Sequence, residues 1–497
     1  MPRVMAVDSP FVSRCCAIFV VLSFLLMAGA AFAQVPLTEI SHDDFTNTTS
    51  MHETEVEPAS WAFGPTIVTV FQVGRFNDGG ASDIGFATSQ DHGTTWTHGR
   101  LPGITKLEGT GTYDRASDTA VTYNTKFKVW LAESLALLES GGAHGQAVLV
   151  SSSKDGITWN NPVLVSDAGR NGFYDKPWIG CDNTSTSPFY GNCYMAWDDF
   201  SLGDQLEMST STDGGTTWGA KKTTAGNNFG TGGIPLVQPN GTVIVPAGDQ
   251  FLSSIIAFRS TDGGNTWSAP KTVSTISEHG VAGSMRAPAL PAAAMDASGK
   301  AFVVWADCRF RTRCASNDIV MSTSTDGVTW SAVTRVPIDL ATSTVDHFTP
   351  GFSILGGGAN AHLALTYDFF NASNCGSNCK LNTGYTTSPN GGATWTKAKV
   401  LTFGMNTSWL PGTTSGQMAG DYQTAAFSAQ KVHGTFPKAK APTGSTFDEA
   451  MNTNAAGLAP ADDEEAVLSS AHDKPVSHYH SDIPKRTRPY HDDLGRD

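Results

Sequence analysis

One turn-forming pattern recurs six times in this chain, and no other feature constrains its fold as strongly. The full form, S-x-D-x-G-x-T-W, runs through Ser89, Asp91, Gly93, Thr95 and Trp96 and through Ser211, Asp213, Gly215, Thr217 and Trp218. It recurs at Ser260, Asp262, Gly264, Thr266 and Trp267, and again between Ser388 and Trp395 with Asn390 in place of the acid. Two copies are one residue shorter, with Asp155 before Trp159 and Asp326 before Trp330. Successive tryptophans are 63, 59, 49, 63 and 65 residues apart, the period of a four-stranded unit with loops. Each copy follows a short β-type run, such as 84–88 or 147–150, and therefore reads as a hairpin turn. Its Asp accepts hydrogen bonds from loop N–H groups, its Gly takes positive φ, and its Trp opens the next strand and buries its ring.

Two further strand candidates precede each hairpin, for example 119–123 with 129–132, or 290–294 with 301–305. Four strands per repeat make a propeller blade. After Trp395, strands at 422–427, 431–436 and 446–451 lack a turn motif, and the segment 35–40 supplies their missing partner by pairing the chain ends. The expected fold is a single all-β propeller over residues 34–451, with seven blades, or six as the alternative. The 51 Gly, 25 Pro and 16% charged residues among 497 suit short strands joined by tight turns.

The first 33 residues read as a leader. Arg3 and Arg14 precede an apolar run over 15–30, and Ala31-Phe32-Ala33 is a small-x-small cleavage site. Export to a secreted, extracellular or periplasmic location follows, and no later run is apolar enough to span a membrane. The six cysteines beyond the leader fall as close pairs, Cys181 with Cys193, Cys308 with Cys314 and Cys375 with Cys379, which in an exported protein read as three local disulfides. From 452 to 497 the composition turns to Ala, Asp, Glu, His, Lys and Pro, a disordered charged tail that holds His472, His478, His480 and His491. With 32 basic and 46 acidic residues, the net charge of -14 argues against a nucleic-acid partner. Neither a metal nor a cofactor is expected.

The six motifs resemble Asp boxes, and residues 34–450 are similar to the Asp-box (BNR-repeat) sialidase-like superfamily of β-propellers. In that superfamily the box is structural and lies on the blade periphery, so Asp91, Asp155, Asp213, Asp262, Asp326 and Asn390 identify architecture rather than chemistry. The resemblance implies an arginine triad for a substrate carboxylate, a Tyr nucleophile paired with Glu, and an acid/base Asp. The chain departs from the pattern in one respect: no Arg-Ile-Pro or Arg-Leu-Pro signature precedes the first box, and Arg100-Leu101-Pro102 follows it.

In a propeller, loops that enter each first strand and loops that follow each second strand share one mouth of the central channel. Here those loops are rich in ionisable residues. The expected catalytic set is Tyr422 with Asp421, Asp114, Asp175 and Asp307, because glycoside hydrolysis needs paired acid and base groups ~5 to 9 Å apart. A Tyr nucleophile suits an anionic sugar, since its neutral phenol avoids charge repulsion. Arg115, Arg286 and Arg309 are the expected carboxylate clamp, with Arg75 and Lys176 in reserve. For each of these cations, a structural ion pair with a neighbouring Asp stays open. Trp409, in a long connection, is the expected sugar-stacking platform. The reading is a secreted sialidase-like exo-glycosidase with a carbohydrate or glycoconjugate partner. The alternatives are a non-catalytic propeller that binds glycan or protein, and a hydrolase of neutral or uronic polysaccharides. Oligomeric state is not readable from the residues.

Overall fold

In the computed structural model the described residues are 35–460, 468–471 and 473–476. The expected leader and the four tail histidines lie outside them. Strands dominate, and all but three short ones, Met405–Asn406, Gly412–Thr413 and Gly416–Gln417, fall into seven antiparallel groups of four. Group I comprises Glu55–Phe63, Thr66–Arg75, Ala81–Ser89 and Thr97–Arg100; group II comprises Arg115–Asn124, Val129–Leu138, His144–Ser153 and Val163–Asp167. Groups III to VI begin at Tyr174–Cys181, Leu236–Val237, Ala292–Met295 and Asp346–Leu355. Group VII takes Thr424–Ser428, Lys431–Ala439 and Glu449–Asn454 from the end of the chain and Leu37–Glu39 from its beginning, with Leu37 opposite Asn454. One pairing, Ala81 with Ala116, joins groups I and II.

Each first strand packs against the first strands of the groups before and after it, and that of group VII packs against that of group I. The arrangement is all-β and consistent with a β-propeller whose channel the first strands line. Second strands are buried along nearly their whole length, as in Thr66–Arg75, Val129–Leu138 and Ala301–Asp307. Neighbouring sheets cover both of their faces, so these strands read as apolar runs without the alternation of a half-exposed strand. Trp197 and Trp305 are fully enclosed there. Trp178 is only half-buried and faces the channel.

The recurring turn is a closed hydrogen-bonded unit. Ser89 Oγ accepts from Gly93 N at 2.7 Å and donates to Asp91 Oδ1 at 2.8 Å; Asp91 accepts from Thr95 N at 2.8 Å and Thr95 Oγ1 at 2.6 Å; Trp96 Nε1 reaches Gly93 O at 3.2 Å. Gly93 has φ of +81°, which an L side chain would resist. The Thr95 hydroxyl and amide hold the Asp91 carboxyl down at about 2. At Asn390 the amide keeps the pattern by reversing one donor: Thr394 N donates to Oδ1 at 2.9 Å, and Asn390 Nδ2 donates to Thr394 Oγ1 at 2.8 Å. This natural amide copy predicts that Asp262→Asn is nearly neutral, whereas Asp262→Ala lowers stability by about 1 kcal/mol; the midpoints of urea unfolding check both. A Trp opens the next strand directly only at Trp96. In the other five copies the strand begins four residues later, after segments such as Ser268-Ala269-Pro270 whose proline lacks a ladder donor.

All three disulfides are formed. Among the described residues no helix is long and apolar enough to cross a membrane. The segment expected to be a disordered tail is partly docked. The last strand runs to Asn454, Leu468 exchanges backbone hydrogen bonds with Trp395, and Val476 N donates to Arg309 O at 2.8 Å. Leu468 is an apolar residue that packs on the core beside Trp395.

Candidate functional site

Four first strands carry an irregularity near the end where they start, and this end is called the mouth. The register slips between Val56 and Ala59, Ser117 and Thr119, Asp175 and Trp178, and Phe348 and Gly351. At each slip one residue has positive φ: Glu57 (+57°), Asp118 (+24°), Lys176 (+46°) and Thr349 (+44°). Such bulges re-aim side chains, and unfavourable backbone of this kind clusters at functional sites. Pro58, Pro177 and Pro350 follow three of the four, so no ladder N–H is lost there. The fourth is followed by Thr119, and its N–H finds the Tyr422 hydroxyl at 3.0 Å.

The bulges bring charges from several groups together. Lys176 Nζ lies 2.9 Å from Asp118 Oδ1, 3.0 Å from Asp421 Oδ2 and 3.8 Å from Glu57 Oε1. Arg286 grips Asp421 with both arms, Nε to Oδ1 at 2.7 Å and Nη2 to Oδ2 at 2.6 Å. Glu57 accepts from Asp421 N at 3.1 Å and from Gln72 Nε2, whose Oε1 accepts from Arg75 Nη1 at 3.0 Å. The close approach of Gly420 to the Glu57 backbone permits this contact, since a Cβ at Gly420 would lie 3.0 Å from Glu57 N. Every one of these side chains is buried.

Burial dominates the acid–base character. It pushes Glu57 up to about 7 against the pull of Lys176, with Asp421 and Asp118 adding to the rise. Asp175 and Asp198, which face each other across two strands, are raised well above the usual carboxylate range, again by burial first. Burial and the nearby Glu57 and Asp118 carboxylates also raise the Tyr422 phenol. The cluster therefore combines three cations, several buried carboxyls and a glutamate that burial holds near 7.

Of the residues expected from sequence, Arg75, Asp175, Lys176, Arg286, Asp421 and Tyr422 meet here. The others do not. Arg115 lies over the Phe76 ring and pairs with Asp78 at 2.6 Å and Glu139 at 2.7 Å, while Asp114 pairs with Lys106 at 2.5 Å. Arg309 folds back on Asp307 with contacts of 2.8 and 2.6 Å. Trp409 ends a 3₁₀ turn and packs on the core of group VI. Arg115, Arg286 and Arg309 thus bind separate carboxylates, four in all, and form no common clamp. Glu57 and Gln72 were not expected; a charged residue directly before proline in a first strand, as at Glu57-Pro58 and Lys176-Pro177, is the signal that finds Glu57.

Among the described residues one group has metal-ligand atoms within 4.8 Å of one another, Asp318, Asp339 and His347. Arg311 and Arg335 pair with both aspartates at 2.5–2.8 Å, so the carboxylates are already neutralised. Burial keeps His347 neutral down to about 4. This donor set suits an ion-pair network better than a cation.

Fold and site together define an all-β protein with a charged cluster at one end of a strand-lined channel. No protein family and no curated protein matches the sequence. Solved structures similar to it include a protein of unknown function from Dyadobacter fermentans, at 15% identity over 72% of this chain and 98% of that one, TM-score 0.45. The NanB sialidase from Streptococcus pneumoniae is similar at 13% identity over 86% and 71%, TM-score 0.40. A PL25 ulvan lyase is similar at 10% identity over 84% and 95%, TM-score 0.49.

Proposed function

We propose that this chain is an exported, carbohydrate-active propeller of seven blades, closed by its N-terminal strand, which hydrolyses glycosides of acidic sugars at its mouth. The observation that carries the reading is the meeting of Arg75, Lys176 and Arg286 with Glu57, Asp421 and Tyr422. A sugar carboxylate, whether of a sialoside or a uronide, is a ligand that such a cation set recognises once it displaces the Asp421 carboxylate that Arg286 and Lys176 hold. In this reading Arg75, Lys176 and Arg286 replace the Arg115–Arg286–Arg309 clamp. Glu57, protonated over much of the neutral range, donates to the leaving oxygen, and a buried carboxylate from the Asp118, Asp175 and Asp421 group serves as the base or nucleophile.

The second reading, a binder of acidic glycans without turnover, is favoured by the Tyr422 hydroxyl, which serves the Thr119 amide at the bulge and touches no carboxylate. Fluorogenic α-sialosides, uronides and neutral glycosides offered to the protein decide between them. The expected result is turnover confined to the anionic glycosides, with Arg286→Lys weakening it about tenfold through loss of the two-armed geometry. Saturable binding of anionic sugars without turnover establishes the second reading. The absence of both overturns the acidic-sugar assignment.

A further inference from the structure

The other end of the channel is chemically unlike the mouth. A cavity of about 550 Å3 opens there, lined by residues of all seven first strands or of the turns beside them, from Trp61 in group I and Val121 in group II to Phe427 in group VII. Its volume lies within the range of about 300–1,000 Å3 of small-molecule sites. Trp178 forms its inner wall with Phe352 and Ile234, residues that also line the smaller cavity reaching Lys176, Asp118 and Tyr422. Trp61 stands at the rim, 43% exposed, near the end of a strand whose first five residues are buried.

The one ionisable residue in the lining is Asp296, and its carboxylate is committed to local turns. Oδ1 accepts from Ser298 N and Lys300 N at 2.9 Å, and Oδ2 accepts from Gly358 N at 2.9 Å. The cavity therefore offers no charge to an ionic ligand. It does offer two things at once. Trp61, Trp178, Phe352 and Phe427 present aromatic surface, and six of the seven first strands are terminal in their ladders while the seventh is joined to group I only near the mouth, at Ala116, so backbone N–H and C=O groups on their outer edges beside the cavity form no ladder bonds. A wholly apolar occupant would leave such groups dry and unpaired, at a cost of about 1–3 kcal/mol each. A sugar ring meets both needs, with its carbon face on an indole and its hydroxyls on backbone groups.

We propose that this lower cavity is a second binding site, distinct from the charged mouth, for a neutral sugar, with Trp61 as its stacking platform. The assignment does not depend on the acidic-sugar reading of the mouth. Calorimetry with 4-nitrophenyl β-glucopyranoside and 4-nitrophenyl β-glucuronide, which share the aryl group and differ in one carboxylate, separates the two ends. The neutral glycoside is expected to bind once per chain, to weaken at least about tenfold in Trp61→Ala, and to be lost in Ala294→Phe, which fills the cavity. Neither change is expected to alter the Kd of the glucuronide, and failure of the glucuronide alone bears on the mouth only. Trp61 is exposed enough that its loss spares the fold, and circular dichroism of both variants verifies this. No binding of the neutral glycoside, or unchanged binding in both variants, overturns the proposal, as does equal competition by 4-nitrophenol alone, which would assign the cavity to an aromatic molecule.

Discussion

Lys176→Met is expected to be the most damaging single substitution outside the aromatic core, lowering stability by at least about 3–5 kcal/mol. The ammonium sits between Asp118 and Asp421 at 2.9 and 3.0 Å, with Glu57 at 3.8 Å, and all four side chains are at most 3% exposed. Removing it leaves three carboxyls facing one another in a medium that solvates charge poorly. Arg286 is already engaged with Asp421 through both arms. The remaining groups can respond only by taking up protons, so the defect should be partly repaired by acid. Chemical denaturation at pH 5 and pH 8 checks this: the variant should approach the wild type at the lower pH and lose most of its stability at the higher. A loss under 1 kcal/mol at pH 8 would mean that water already screens the cluster. The double substitution Lys176→Met with Asp118→Asn should recover part of the loss, because it removes one of the orphaned charges.

What sequence reveals and conceals here has a physical basis. The six turns are legible because each is local: Ser, Asp, Gly, Thr and Trp within eight residues satisfy one another, and no distant partner is needed. The pairing of Leu37–Glu39 with Glu449–Asn454 is legible from the count of strands in the last repeat. The mouth residues Lys176, Arg286 and Asp421 stand out as charges in loops that enter first strands. Arg115 satisfies the same rule, and Arg309 lies in a loop that follows a second strand at the same end, yet Asp78 and Glu139 capture the first and Asp307 the second. Nothing in a linear pattern says which of several nearby carboxylates an arginine will choose. Glu57 is concealed for a different reason. It sits inside a β-type run, where alternation alone would assign it a face, and only the bulge before Pro58 turns it toward Lys176. Tyr422 shows the converse. Its position beside Asp421 suggests chemistry, while its hydroxyl completes the backbone of a bulge that lacks the proline of its three counterparts.

Stability should be greatest near pH 5 and decline toward pH 8, against the habit of proteins rich in surface ion pairs. Burial raises Glu57, Asp346 and Asp368 to about 7 and Glu55 and Asp204 to about 8. It lifts Glu133 and Glu449 well above their ordinary value. Between the ordinary carboxyl range and these raised values the folded chain holds protons that the unfolded chain has released. Stability therefore falls as pH rises through that window. Two groups act in the opposite sense: His347 and His433 are neutral in the fold down to about 4, so acid below 6.5 favours the unfolded chain. These raised carboxyls, with Asp175 and Asp198 at the mouth, outweigh the two depressed histidines over pH 5 to 8. The exposed turn carboxylates, held near 2 at Asp91 and Asp326, matter only in stronger acid. The net charge of -14 adds self-repulsion in the same direction as the buried carboxyls. Scanning calorimetry should give a Tm at least ~5 °C higher at pH 5 than at pH 8. Glu55→Gln should raise Tm at pH 8 and leave it nearly unchanged at pH 5, because the amide can still accept from Met451 N without carrying charge. A Tm that is flat or rises with pH would show that these carboxyls are hydrated rather than enclosed, and would remove the physical basis for a protonated Glu57 at the mouth.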